Sequence, residues 1–288
     1  MKELTLILGE ISAFMWGLPL VILLVGGGLF FVFHSRFLPY LHLKHALDIT
    51  LGKFSKEDKA KGDLTHFQAL MVALSGTLGL GNIAGVAVAI TIGGAGAIFW
   101  MWVTALVGIA TKFYTATLAV NYRGVDLGGR RIIKKMYVIR VGLRKKWLPL
   151  AWLFCLGGMF GALPIFQINQ LVQVMRDFIA IPHGLATAND HFSFDLVTGI
   201  FLCCLITYIV MGKLERLAKI TSKVIPMMVI CYFLLTLGVL LQNLSAIPSA
   251  FSSIFIGAFS GSSVAGGFIG AVVLTGVQRG AFSNEAGI

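Results

Sequence analysis

An uncharged apolar segment of 25 residues, 67–91, constrains the fold of this chain more than any other feature. At about 1.5 Å per residue, a helix of this length crosses a hydrocarbon core of ~30 Å. Its centre, however, combines glycines with small polar residues between Ser75 and Asn82, and glycine disfavours a regular helix. An interruption at membrane depth frees backbone N–H and C=O groups, which need polar partners such as a solute or a cation. We therefore interpret the segment as a helix broken around Thr77 to Asn82.

A continuous helix is the alternative interpretation of this segment. Gly81 and Gly85 form a small-xxx-small pattern, which lets two membrane helices approach closely. The segment taken by itself does not separate a broken helix from a closely packed one.

The composition places the chain among multi-pass membrane proteins. Hydrophobic residues make up 57% of the sequence and charged residues 12%, whereas a soluble domain has about 25% charged residues. The four cysteines all lie in apolar segments, which argues against a disulfide framework. We predict an all-α polytopic membrane protein with about seven transmembrane helices, two of them broken. These spans are residues 11–33, 67–91, 97–120, 149–172, 196–211, 224–241 and 252–277.

The distribution of lysine and arginine predicts the orientation of the spans. The loops after spans 1, 3 and 5 hold six, nine and four basic residues, whereas the loops after spans 2, 4 and 6 hold none, one and none. By the positive-inside rule the basic loops are cytoplasmic and the N-terminus is outside, in a plasma membrane such as the bacterial inner membrane. The net charge of +11 then faces anionic lipid, and nucleic acid is not needed to explain it.

Span 7 repeats the pattern of span 2. It is uncharged, and glycine and serine concentrate between Gly257 and Gly270. Spans 2 and 7 are five spans apart and run in opposite directions, as two inverted five-helix repeats with discontinuous first helices would. This coincidence favours the broken helix and a transporter core.

The chemistry of the broken spans predicts a neutral solute. Spans 2, 4 and 7 contain no acidic residue, and an unpaired charge in hydrocarbon is costly, so a small zwitterion fits best. Its carboxylate would meet the positive end of a half-helix, and its ammonium freed carbonyls or the amides of Gln167 or Asn169. Sodium needs no titratable side chain, and we predict it as the coupling ion. The predicted ion ligands are Ser75, Thr77, Asn82 and Ser263. No other cofactor and no enzymatic activity are expected.

Three long motifs resemble the alanine or glycine:cation symporter family. They are SGTLGLGNIAGVAVAIT ending at Thr91, GGAGAIFWMWVTALVGIATKF from Gly93, and GVQRGAFSNEAG from Gly276. The resemblance implies sodium-coupled uptake of alanine, glycine or a similar amino acid by alternating access. It also implies a leucine-transporter-like inverted-repeat core. The substrate-binding positions that it implies are Thr77, Gly79, Gly81 and Asn82 in span 2, Phe166, Gln167 and Asn169 in span 4, and Ser260, Gly261 and Ser262 in span 7.

The resemblance also implies further spans after residue 288, so the chain is identified as an apparently truncated member with an incomplete core. We expect a single transmembrane domain over residues 1–288. It comprises an extra helix at 11–33, a first repeat at about 67–241 and the start of a second at about 252–288. The alternative is a non-transporting remnant of such a symporter. A membrane enzyme or channel is disfavoured, because the spans contain no catalytic set and no repeated polar stripes. The preferred amino acid, ion stoichiometry and oligomeric state stay open.

Overall fold

Helices dominate the part of the chain that the computed structural model describes, which is residues 2–53, 64–125, 131–132, 135–143, 145–161, 165–187, 190–259 and 268–284. The N-terminal helices are α1 (Lys2–Met15), α2 (Leu18–Val21), α3 (Gly27–His34), α4 (Leu38–Leu41), α5 (Leu43–Thr50), α6 (His66–Thr77), α7 (Leu80–Gly93) and α8 (Gly96–Asn121). The others are α9 (Lys135–Gly142), α10 (Leu148–Gly161), α11 (Ile165–Met175), α12 (Phe192–Val210), α13 (Lys213–Gln242), α14 (Ile247–Phe259) and α15 (Phe268–Asn284). A two-residue antiparallel pair joins β1 (Gly124–Val125) to β2 (Arg131–Ile132).

Five helical segments among the described residues are long and apolar enough to cross a membrane. They are Thr5–His34, His66–Gly93, Gly96–Asn121, Phe192–Val210 and Leu214–Gln242. Large apolar side chains point outward along them, as lipid-facing residues do; Leu235 is 71% exposed and Phe233 64%. The prediction of about seven spans is confirmed for these five, and the protein is a multi-pass membrane protein. The fourth and seventh predicted spans are described only in part: α10 and α11 correspond to span 4 and α14 and α15 to span 7, while residues 162–164 and 260–267, which include the predicted break of span 7, lie outside the described residues.

The chain divides into two compact units. The first comprises Met1–Leu47, Gly81–Trp152 and Phe233–Ile288, and the second comprises Asp48–Leu80 and Leu153–Tyr232. The division places α6 in the second unit and nearly all of α7 in the first. The chain therefore passes from the second unit to the first between Leu80 and Gly81, at the start of α7.

Helix α8 is the centre of the first unit, where α3, α14 and α15 pack against it. Phe99 on α8 lies 4.9 Å from Phe259 and 5.8 Å from Phe255 of α14, measured between ring centroids. On another part of α8, Tyr114 stacks on Phe31 of α3 at 4.7 Å. Aromatic rings thus fix α3 and α14 to one long helix.

Glycines allow the closest approaches to α8. A methyl group on Gly276 of α15 would lie 2.6 Å from the carbonyl oxygen of Ala97, and one on Gly280 would lie 2.9 Å from the Cβ of Thr104. A methyl group on Gly96 would overlap the backbone of Gly257 on α14. Because lipid is as apolar as the helices, such close contact between small residues replaces the hydrophobic effect as the force that joins membrane helices.

Tyr40 of α4 connects the segment after the first span to α8. Its hydroxyl donates a hydrogen bond of 2.6 Å to the carbonyl oxygen of Leu106. Burial raises the pKa of the Tyr40 hydroxyl above its ordinary value of 10.0, while a backbone contact at Ala110 acts in the opposite direction. The hydroxyl therefore stays protonated and keeps donating at neutral pH.

The second unit contains an ionic cluster at the end of α11 and the start of α12. Arg176 donates to Asp195 over 2.6 Å, and the Nδ1 atom of His191 lies 2.9 Å from the same carboxylate oxygen. The other oxygen of Asp195 is buried without a hydrogen-bond partner among the described residues. The cluster joins Arg176, which directly follows α11, to the first turn of α12.

Candidate functional site

The predicted interruption of the second span is present in the structure and is narrower than expected. Helix α6 ends at Thr77, Leu78 is extended with φ −79° and ψ 99°, and α7 begins at Leu80. Gly81 and Asn82, which were expected in the break, lie in the first turn of α7. Two residues, Leu78 and Gly79, therefore form the entire break.

The break leaves polar backbone groups at both of its edges. The last carbonyl groups of a helix and its first N–H groups have no partner within that helix. At the end of α6, one carbonyl is satisfied because the N–H of Leu78 donates to Leu74 over 2.7 Å. The first turn of α7 directs N–H groups and the positive end of its dipole toward Leu78 and Gly79. These backbone groups can bind a carboxylate on one side and a cation on the other.

The side-chain hydroxyls of α6 turn back onto their own helix. Ser75 donates to the carbonyl of Val72 over 2.7 Å, and Thr77 donates to that of Ala73 over 3.1 Å. A hydroxyl that donates in this way keeps lone pairs for a cation. Both residues therefore remain possible oxygen ligands, although neither hydroxyl reaches another helix through these bonds.

Space surrounds the glycine of the break. A methyl group on Gly79 would meet nothing within 4 Å, and its φ lies outside the left-handed region. Neither packing nor backbone strain requires glycine here. What glycine supplies at this position is an accessible backbone.

Asn82 connects the first turn of α7 to α15. The hydroxyl of Ser283 donates to the Oδ1 atom of Asn82, across 201 positions of sequence. Both residues belong to the first unit. The prediction did not include Ser283, although the GVQRGAFSNEAG motif that contains it is one of the three on which the resemblance rests.

A cavity of about 190 Å³ lies beside this hydrogen bond, among α7, α8 and α15 of the first unit. Val86 of α7 and Met101, Trp102 and Ala105 of α8 form part of its apolar wall. Its polar groups come from the end of α15, where Ser283 and Asn284 line it. The cavity is thus apolar on most sides and polar at the end of α15.

Trp100 supplies a further hydrogen-bond donor in the first unit. Its indole N–H is buried and has no acceptor among the described residues. Its ring lies 6.1 Å from that of Phe259, the last residue of α14. A buried indole N–H ordinarily finds a partner, so this group is available to an oxygen atom.

The remaining predicted site residues lie in the second unit or outside the described residues. Gln167 and Asn169 are exposed on the first turns of α11, in the second unit, which also contains α6 with Ser75 and Thr77. Phe166 also belongs to α11. Ser260, Gly261, Ser262 and Ser263 lie outside the described residues. Within the described part of the chain, no cluster of His, Cys, Asp or Glu could hold a metal ion.

These features define a class: a multi-pass membrane protein with a broken helix in one of its apolar segments and a small cavity among the helices of its first unit. Comparison with known proteins identifies the family. The model of the sodium:alanine symporter family matches residues 1–288, and the chain belongs to that family.

Several relatives match nearly the whole of this chain and are longer than it. The sodium/alanine symporter AgcS of Methanococcus maripaludis is 38% identical over 288 residues, covering 98% of this chain and 60% of the relative. The putative sodium/proton-dependent alanine carrier YrbD of Bacillus subtilis is 36% identical and is covered to 54%. The probable sodium/glutamine symporter GlnT of Bacillus subtilis is 30% identical and is covered to 56%. The chain therefore spans about 60% or less of the length of these relatives.

Proposed function

We propose that this protein takes part in secondary active symport of a small neutral amino acid, alanine or glycine, with sodium. The observation that carries the proposal is the break at Leu78 and Gly79 in an uncharged membrane segment, with open space around Gly79. Backbone freed at membrane depth needs a polar occupant, and a transported solute with its ion supplies one. Family membership and the names of AgcS and YrbD support both the sodium ion and the alanine.

The proposed ligands follow from the chemistry at each edge of the break. The substrate carboxylate meets the N–H groups of the first turn of α7, around Gly81 and Asn82, where the helix dipole is positive. Sodium is bound by oxygen atoms of Ser75, Thr77 and Asn82 with backbone carbonyls from the end of α6. Gln167 and Asn169 supply amide oxygens for the ammonium group. Phe166 and the serines Ser260, Ser262 and Ser263, with Gly261, complete the proposed site.

The orientation of the chain belongs to the same proposal. The basic loops after the first, third and fifth predicted spans face the cytoplasm, and the N-terminus lies outside. In the leucine-transporter-like arrangement, the two broken helices would then enter the membrane from opposite sides. Alternating access would open the site first to the outside, where sodium is abundant, and then to the cytoplasm.

Sodium-dependent binding tests the proposal directly. The purified chain in lipid nanodiscs is titrated with radiolabelled alanine in sodium chloride and in potassium chloride of equal ionic strength. We expect saturable alanine binding that sodium strengthens at least tenfold. Equal affinity in both salts would refute sodium coupling, and absence of alanine binding in both would refute the substrate assignment.

Two threonines provide a matched pair for the same assay. Thr77 at the break and Thr91 near the end of α7 both donate to a carbonyl four residues earlier. Thr77→Val removes a proposed sodium ligand, and we expect the sodium dependence to weaken. Thr91→Val removes the same type of hydrogen bond away from the break, and we expect no change.

A further inference from the structure

The first helical segment of the chain is interrupted near its middle. Helix α1 ends at Met15, and α2 begins at Leu18, with Trp16 and Gly17 between them. Gly17 has φ −80° and ψ −142°, whereas ψ in a helix is about −42°. Pro19 occupies the first turn of α2, where its missing N–H is tolerated. The chain therefore changes direction between α1 and α2.

The segment after this interruption is long enough to cross the bilayer without α1. Leu18–His34 extends roughly 26 Å at about 1.5 Å per residue, close to a hydrocarbon core of ~30 Å. The whole apolar segment Thr5–His34 has 30 residues and would extend about 45 Å as one helix. A straight helix of that length would fit the core only with a tilt greater than the roughly 0–40° seen in membrane proteins. The residues before Leu18 therefore extend beyond the hydrocarbon core.

Helix α1 has one apolar and one polar side, and all of its described side chains are exposed. At about 3.6 residues per turn, Ile7, Ile11 and Phe14 are spaced to lie on one side, while Glu3 and Glu10 share another. The apolar stripe comprises Ile7, Leu8, Ile11, Phe14 and Met15, and the polar side comprises Glu3, Thr5, Gly9, Glu10 and Ser12. An exposed helix of this kind suits a boundary between an apolar and an aqueous environment.

We propose that α1 lies along the membrane surface, with its apolar stripe at the boundary between phospholipid headgroups and acyl chains. Amphipathic helices that bind in this way are buried about 5–10 Å deep. Trp16 stands where α1 meets the span, and tryptophan is enriched at membrane–water interfaces. Helix α1 contains two glutamates and one lysine, so anionic lipid does not attract it and apolar burial drives the binding.

The surface helix also bears on α15. The side-chain amide of Gln278 donates to the carbonyl oxygen of Trp16 over 2.5 Å, and the ring of Trp16 lies 6.5 Å from that of Phe282. All three residues belong to the first unit. By holding Trp16 at the interface, α1 fixes the depth of α15 in the bilayer.

Site-directed spin labelling tests the proposal on the whole chain in nanodiscs of phosphatidylcholine. The four native cysteines are replaced by serine, and single cysteines at positions 5–15 carry a nitroxide. We expect collisions with oxygen to peak at the apolar stripe and collisions with a water-soluble nickel chelate to peak on the polar side, each with a period of about 3.6 residues. The mean depth of the label should stay constant from turn to turn.

Four other results would overturn the proposal. A label depth that changes by about 1.5 Å per residue would show that α1 stands upright. Access of the nickel chelate to every side would place α1 in water. An apolar stripe shielded from both reagents would show that protein covers it, such as a second copy of the chain. A pattern that appears only after phosphatidylglycerol is added would show that anionic lipid holds the helix.

Two leucines provide a matched pair in a chain that keeps its cysteines. Leu6 and Leu8 are 66% and 56% exposed, but only Leu8 belongs to the apolar stripe. Leu8→Gln should raise the rate at which a glutamyl endopeptidase cleaves after Glu10 several-fold, because it weakens burial of α1 at the interface. Leu6→Gln should leave that rate unchanged. Equal rates for the two variants would refute the surface placement, and this measurement decides the question if the cysteine-free chain does not fold.

Discussion

The contact between α15 and α8 gives the most quantitative test of the fold. Gly276 and Gly280 form a GxxxG pattern on the face of α15 that packs on α8. In Gly276→Ala, the new methyl group would lie 2.6 Å from the carbonyl oxygen of Ala97 and 2.6 Å from the Cβ of Trp100. Neither atom is the end of a movable side chain. The helices must therefore separate, or α15 must shift along α8.

The cost of that separation can be estimated from packing. Non-bonded heavy atoms prefer about 3.5–4.0 Å, so relief of the clash needs a displacement of about 1 Å, which forfeits a quarter to a half of each contact energy nearby. Overpacking costs about 1–3 kcal/mol, and the glycine pair sits at the main contact of α15, so we expect about 3 kcal/mol. For a chain of this size each kcal/mol lowers the melting temperature by about 2–4 °C, which gives a decrease of roughly 6–12 °C.

Thermal unfolding in nanodiscs, followed by size-exclusion chromatography of heated samples, measures the decrease. Gly238→Ala is the control, because a methyl group there meets nothing within 4 Å and alanine favours a helix by about 0.5–1 kcal/mol. Gly280→Ala should give a smaller loss than Gly276→Ala, since its nearest contact is 2.9 Å from a side-chain carbon of Thr104. If Gly276→Ala unfolds at or above the temperature of the unmodified chain, the close packing of α15 on α8 is wrong.

Three other positions give shorter tests. Gly79→Ala should leave the melting temperature within about 2 °C, because the site is open, yet weaken alanine binding several-fold by covering freed backbone; equal affinity would contradict this. Asp195→Asn removes the charge that Arg176 binds and should cost about 1.5–3 kcal/mol in unfolding measurements; an unchanged melting temperature would show that the pair contributes nothing. Tyr40→Phe loses the hydrogen bond to Leu106 and should cost about 1 kcal/mol at neutral pH. Because burial raises the folded pKa of Tyr40 above 10.0, the stability that this tyrosine contributes is complete below pH 10.0 and falls as the pH rises through the folded pKa. The difference in stability between Tyr40→Phe and the unmodified chain should therefore shrink only in that alkaline range.

The broken helix could be predicted from sequence because its cause is local. Glycines with small polar residues lower helix propensity over a short window, and an uncharged segment 25 residues long fixes the membrane context. The extent of the break was overestimated for an equally local reason. Gly81 and Asn82 are poor residues in a helix interior, but they are acceptable near an N-terminus, where α7 begins.

The partner of Asn82 could not be predicted, because it depends on tertiary packing. Ser283 is 201 positions away, and the glycine pair that brings α15 against α8 fixes its position. Glycine spacing showed that a close contact was possible, but it did not show which helix would supply the other surface.

The break has a second property that follows from the division of the chain. Leu78 and Gly79 separate α6 in the second unit from α7, nearly all of which belongs to the first. Helix α7 is attached to its unit through Asn82, which accepts from Ser283, and through the buried contacts of Ala89 with Ala97 and Met101. Leu80, which directly follows these two residues, is the last residue of that segment of the second unit. The residues that leave backbone groups without helical partners therefore lie next to the point in the sequence where the chain leaves one unit for the other.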